Sequence, residues 1–312
     1  MLALLEVVVP VFLVIGAGYL LIRFGVFPIS LADELMRFTQ GFAIPLMLFK
    51  AIAELDLSRT FDPALLISFY TGGLTCFCLG IVGARLIFRR RPGEAVALGF
   101  AALFSNTVLL GLPITERAYG TAALDTNFAI IALHAPFGYL LGITAMEISR
   151  ADGVGPIDTA RAVVRAMFRN ALTIGLLLGF AVNLLAINLP PTASAAIDMV
   201  VRAALPTALF GLGGVLTRYG IRGSLGAATM VVGLSLILHP LITYGLATAV
   251  FALPIEVTRS AVVTAAMAPG VNAYVFASLY NRAMGAAATA VILGTLLCVL
   301  TTSVWLAILG TP

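Results

Sequence analysis

Two short stretches place polar and helix-breaking residues inside apolar surroundings. In "FSNTVLLGLPITERAYG", residues 104–120, they are Asn106, Thr107, Gly111 and Pro113. In "AAMAPGVNAYVFASLYN", residues 265–281, they are Pro269, Gly270 and Asn272, with Val271 between them. Proline removes a backbone donor and clashes with the turn before it, so a helix opens there. The freed amides and carbonyls cannot face lipid and must meet protein or a wet cavity. Each half-helix that restarts after such a break aims its N-terminus, with its partial positive charge, at the opening. Two such ends at one depth favour an anion without a buried Lys or Arg, and Asn106 and Asn272 would add side-chain donors and acceptors. Either stretch alone reads as an ordinary proline kink with its Asn bonded to a neighbouring helix. Paired breaks in corresponding segments of two halves point instead to a transporter binding site.

Other polar residues lie near the same depth. His134, in "IIALHAPFG", sits in the middle of an apolar run. Ionisable groups at that depth are candidate functional groups; His134 can bind a carboxylate or carry a proton, or it is a neutral ring bonded to an adjacent helix. His239 precedes Pro240 and reads as packing against a carbonyl that the proline frees. Pro45 and Lys50, in "PLMLFK", are accessory candidates; Lys50 either snorkels to the interface or draws anions to an outer mouth. Glu147 reads as a partner of Arg150 at a helix end, and Trp305 as part of an interfacial aromatic belt. Cys76, Cys78 and Cys298 read as small packed core residues, with no metal-ligand pattern or disulfide framework. No HExxH, nucleophile elbow or phosphate-binding loop is present, so no catalytic residue, metal or cofactor is expected and the chain reads as no enzyme.

What must position these residues follows from composition. The 312 residues are 61% hydrophobic and 10% charged, with a mean hydropathy of +1.09, whereas soluble domains are nearer half apolar and a quarter charged. Apolar runs of about 20 residues, the length that spans a hydrocarbon core, recur along the chain. They are continuous rather than alternating, which predicts an all-α polytopic membrane protein and not a β-barrel. The net charge of +4 sets topology and implies no nucleic acid.

Ten spans are predicted: 3–24, 32–53, 62–88, 94–117, 122–148, 166–188, 195–217, 226–252, 257–281 and 284–309. The first is read as an uncleaved span, not a signal peptide. Of the 18 Lys and Arg residues, 13 fall near loops after odd-numbered spans, which places those loops in the cytoplasm and both termini outside. "PLMLF" at 45–49 and "PTALF" at 206–210 lie 161 residues apart, and Gly18-Tyr19 matches Gly179-Phe180 at the same offset. A five-span duplication follows: a first repeat over 1–148, a cytoplasmic linker over 149–165 and a second repeat over 166–312, inverted because five is odd.

The residues quoted also carry a family resemblance. "SNTVLLGLP…AYG" and "PGVNAYVFASLYN…AVILGT" resemble the crossover segments of the auxin efflux carrier family, "FAIPLMLF" its second span and "HPLITYGLA" its eighth. That family includes plant auxin carriers and bacterial permeases associated with malonate, malate and similar acids. The resemblance covers nearly the whole chain outside the 150–165 linker. It implies a fold shared with bile-acid and sodium–proton transporters, with crossed broken helices 4 and 9. Spans 1, 2, 6 and 7 would form a scaffold domain, and spans 3–5 and 8–10 a transport domain that moves like an elevator. A homodimer through the scaffold domain is likewise implied. In plant relatives a Gln occupies the place of His134, and the place of Asn272 is less polar, which favours a smaller, more polar acid than auxin. The short linker argues against the regulatory phosphorylation of the long plant loop.

These readings combine into one expectation: a secondary permease for small organic anions, mono- or dicarboxylates, in a bacterial cytoplasmic (inner) membrane. Its site would comprise Asn106, Thr107, Gly111, Pro113, His134, Pro269, Gly270, Val271 and Asn272. A sodium-coupled symporter of the bile-acid type is the alternative, and a non-transporting membrane sensor or embedded enzyme a more distant one.

Overall fold

The structure is a computed structural model, described over residues 2–149, 155–219 and 225–310. It is helical throughout, with no strand among the described residues. The helices are α1 (Leu2–Arg23), α2 (Ile29–Glu54), α3 (Pro63–Leu86), α4 (Pro92–Leu103), α5 (Leu112–Tyr119), α6 (Leu124–Ile148) and α7 (Pro156–Arg169). They continue as α8 (Ala171–Leu184), α9 (Pro191–Leu216), α10 (Leu225–Val250), α11 (Ile255–Ala265), α12 (Val271–Leu279) and α13 (Met284–Leu309). Seven of the continuous helices are long and apolar enough to cross a membrane. The predicted fourth span is broken into α4 and α5, and the predicted ninth into α11 and α12. The predicted sixth span starts later than expected: α7 and α8 meet at a 79° bend, with Asn170 in extended conformation between them and its side chain capping α8 through the Leu172 amide. An Asn in that role stops one helix and starts the next.

Prolines shape the remaining helices in a consistent way. Turns widened by one residue run over Thr39–Ala43, Thr107–Gly111 and Leu234–Leu238, just before Pro45, Pro113 and Pro240. In each, the residue preceding the proline donates five positions back: Ile44 to Thr39, Leu112 to Thr107 and His239 to Leu234. Widening the turn accommodates a ring that cannot donate and would clash with the ordinary register. Side chains from other helices take up carbonyls that the prolines free. Trp305 Nε1 donates to the Leu236 carbonyl, four residues before Pro240, at 3.1 Å. The Arg117 guanidinium donates to the carbonyls of Glu6, four before Pro10, and Val7 at 2.8 and 2.9 Å. Trp305 is therefore buried in the helix bundle rather than part of an interfacial belt, and it, not His239, answers Pro240. Of the three cysteines, Cys78 is exposed and only Cys76 and Cys298 are buried.

Two groups of helices emerge from the packing. In one, α1 and α9 cross closely, as do α8 and the second half of α2. The close approach needs glycine: a Cβ on Gly18 would stand 2.0 Å from the Phe210 carbonyl oxygen, and one on Gly179 would stand 2.6 Å from that of Phe49. In the other group α3 packs on α4 and α10, and α13 on α10 and α12. Glu147 is buried at the end of α6, while its expected partner Arg150 lies outside the described residues.

Candidate functional site

The site begins where α4 stops. Phe104 and Asn106 leave helical geometry (ψ 81° and 62°), and α11 unwinds over the residues before Pro269. The two opened segments lie antiparallel, Ser105 opposite Pro269. The Asn106 amide donates to the Ala268 carbonyl and the Gly270 amide to the Phe104 carbonyl, both at 2.8 Å. Ser105 and Pro269 are thus the pair between the hydrogen bonds, the position at which an antiparallel bridge needs no donor. Proline breaks the helix there at no cost to the bridge, and each broken segment satisfies backbone groups of the other, as a buried apolar setting demands.

Three flanking contacts hold this crossover. His239 Nε2 lies 3.1 Å from the Phe69 carbonyl, and its Nδ1 lies 3.4 Å from Ser105 Oγ. With the proton on Nε2 both nitrogens are engaged: one donates to the carbonyl, the other accepts from the serine. Asn127 Nδ2 donates to Thr264 Oγ1 at 2.7 Å and Thr115 Oγ1 at 3.2 Å, tying α6 to α11 and α5. Ser235 Oγ donates to the Met267 carbonyl at 3.1 Å. Sequence reading missed Ser105, Asn127 and Ser235, because single small polar residues in apolar helices carry no local signal.

The two half-helices restart differently. Asn106 Oδ1 caps its own half by accepting from the Leu109 amide at 3.2 Å, which leaves Nδ2 as the donor that Asn106 offers elsewhere. The start of α12 has no side-chain cap, so its leading amides, at Val271 and Asn272, keep donor capacity.

These groups face a cavity of about 240 Å³. Asn106, Thr107, His134, Gly270, Val271 and Asn272 all line it. Gly111, Pro113 and Pro269 do not. Pro269 supplies the bridge, and Gly111 lies behind it beside Met267. Pro113 lines a second cavity of about 570 Å³, together with Pro10, Lys50, Arg117, Arg202 and Pro206. The first cavity meets α2 near Gln40 and Ile44, and the second meets it nearer the C-terminal end, at Met47, Lys50 and Glu54. Lys50 is ion-paired to Asp198 of α9 and lies 3.7 Å from Glu54. The Pro45 carbonyl packs against α8 at Gly175, and Pro45 lines neither of these cavities.

His134 differs from His239. It is buried and ringed by Phe104, Phe69 and Tyr70, with centroids 4.6, 5.8 and 6.4 Å away. The Ser105 backbone is near, yet neither ring nitrogen makes a well-formed hydrogen bond to a described residue. A buried polar ring with no well-formed hydrogen bond among the described residues calls for an explanation, and this one borders the cavity. Sequence reading also missed Gln40, Tyr139, Arg169 and Asn170 on the cavity wall, which carries no acidic side chain among the described residues.

Against known proteins, the family described as "Membrane transport protein" matches residues 3–155 and 156–306. The chain is 29% identical over 255 residues to an "Uncharacterized transporter" of Methanothermobacter thermautotrophicus, covering 77% of each chain. It is 24% identical over 297 residues to a "Putative malonate transporter" of Rhizobium meliloti, covering 94% of this chain and 92% of that one.

Proposed function

Because the chain belongs to the membrane transport protein family, that of the auxin efflux carriers, we propose that it is a permease that moves small organic anions through the cavity at the crossover. The chain is a transporter and not an enzyme. The observation that carries the substrate reading is the pairing of 104–106 with 268–270 beside a cavity lined by Asn106, Asn272, the uncapped start of α12 and His134. That wall offers amide donors and a helix N-terminus and, among the described residues, no carboxylate, a setting that favours an anion. Its volume suits a small acid; drug-sized ligands need about 300–1,000 Å³. The likeness to a protein named for malonate makes malonate the first substrate to assay.

Transport follows by alternating access. The ten helical passes, two of them broken, read as two inverted repeats of five, 1–148 and 166–312 joined by the 149–165 linker. The close contacts Gly18–Phe210 and Gly179–Phe49 support this, since each residue of one pair is shifted 161 positions from a residue of the other. The group of α1, α2, α8 and α9 reads as the scaffold and the rest as the moving domain of an elevator, in a bile-acid-transporter-like fold that dimerises through the scaffold. With both termini outside the cytoplasmic membrane, the crossover cavity opens to the cytoplasm and the second cavity lies on the outer side.

The test is uptake of labelled malonate and related acids into proteoliposomes. Asn106→Ala and Asn272→Ala should each abolish it while the protein still inserts and purifies. Undiminished transport in both variants overturns the site. The same assay separates the sodium-coupled reading: transport that stops when potassium replaces sodium at fixed membrane potential would favour it.

A further inference from the structure

Among the described residues, Arg169 is the one charged side chain lining the crossover cavity. In the sequence it is one of many arginines near a cytoplasmic loop, with nothing to separate it from Arg161 or Arg165. The fold separates it. It ends α7, an amphipathic helix packed on α6, and the next residue, Asn170, caps α8 after the 79° bend. The cap fixes the backbone that presents Arg169, and Asn170 lines the same cavity. Arg161 pairs with Asp158 at 3.3 Å on its own helix, whereas Arg169 makes no ion pair with a described acidic residue. It is exposed at the cavity mouth, while the crossover groups lie deeper: Asn106 and Thr107 are buried.

The cavity therefore has two unlike poles. The deep pole is neutral: the Asn106 and Asn272 amides and the start of α12. It can hold one carboxylate, because helix-terminal amides and side-chain amides compensate a single charge. The outer pole is a guanidinium, the group best suited to a second carboxylate because it grips both oxygens at once. A monocarboxylate seated at the crossover leaves Arg169 without a counter-charge; a dicarboxylate answers both poles.

We propose that Arg169 is a specificity-determining residue that makes the substrate a short dicarboxylate, with one carboxylate at the crossover and the other on the guanidinium. This rests on the transport site proposed above. The test uses the full chain in proteoliposomes and acid pairs of equal carbon number: malonate against propionate, and succinate against butyrate, each as competitor of labelled malonate uptake and as a ligand in thermal-shift titration. The wild type should bind each dicarboxylate at least about tenfold more tightly than its partner. Arg169→Gln should remove most of that advantage while leaving the monocarboxylates within about twofold, and Arg169→Lys, which keeps the charge without the fork, should retain part of it. Equal affinity for both classes in the wild type, or equal losses for both in Arg169→Gln, overturns the inference while leaving an anion site at the crossover. Failure of every carboxylate to bind the wild type, or undiminished binding in Asn272→Ala and Asn106→Ala, overturns the site itself.

Discussion

Gly294 of α13 faces the ring of Pro269: a Cβ there would stand 2.7 Å from the proline Cδ and 3.4 Å from the Ala268 Cβ. The crossover is thus backed by a helix that touches it through bare backbone, and the proline ring has no freedom to give way. Gly294→Val should push on the bridge, cost ~1–3 kcal/mol as overpacking does, and slow transport. Gly270 makes the contrast. Its φ of −73° suits any residue, and a Cβ would meet Asn106 Cα at an ordinary 3.5 Å. Gly270→Ala should insert, fold and melt like the wild type. Detergent-solubilised melting and liposome uptake of the two variants check the contrast.

Histidines 134 and 239 should respond in opposite ways. His239→Phe takes the second hydrogen bond from the Phe69 carbonyl, which lies within α3, and the imidazole partner from Ser105 Oγ, so it should lower the melting midpoint, by the ~1–3 kcal/mol of a buried group left unpaired. His134→Phe keeps the aromatic contacts and removes ring nitrogens that make no well-formed hydrogen bond to a described residue, so stability should hold or rise while anion binding falls. His134→Gln, which restores a donor and an acceptor, should recover part of the binding. Equal stability losses in both Phe variants would contradict the division.

The indole of Trp305 replaces the donor that Pro240 cannot supply to Leu236. Trp305→Phe keeps an aromatic ring there and loses the hydrogen bond, leaving a buried carbonyl unpaired at a cost of ~1–3 kcal/mol. The expected outcome is a lower melting midpoint with transport per folded molecule unchanged. A variant that melts normally would show that Leu236 finds another partner.

Arg117 joins α5 to α1 by holding the Glu6 and Val7 carbonyls, next to the second cavity. Arg117→Ala should loosen that side. Labelling reads it out: with the three native cysteines replaced, a cysteine at Leu205 on the second cavity should react faster with a membrane-impermeant thiol reagent once Arg117 is gone. Unchanged labelling means that the contact does not restrain this end.

Much of the molecule was legible before any fold was known, for a physical reason. Hydropathy and proline act locally, so the helical, membrane-spanning character and the break before Pro269 follow from the chain itself; the other break falls at Phe104–Asn106, ahead of Pro113, which sits in the first turn of α5. The same local logic failed where a residue's meaning depends on what crosses it. Trp305 looked interfacial because it lies near a chain end; it is buried because Pro240, far away in sequence, left a carbonyl open. Pro113 looked like part of the anion site; the widened turn at Thr107–Gly111 absorbs its effect and turns it towards the second cavity.

The sequence by itself determined a helical membrane protein with two paired interruptions and polar residues beside them. Only the tertiary structure decided that the interruptions satisfy one another, with Asn106 bonded to Ala268 and Gly270 to Phe104. It alone also decided that Arg169, indistinguishable from its neighbours in the linear chain, stands on the wall of the resulting cavity. Backbone groups freed by proline must find partners, but a sequence records only where they are freed; the crossing of two distant helices settles who answers them.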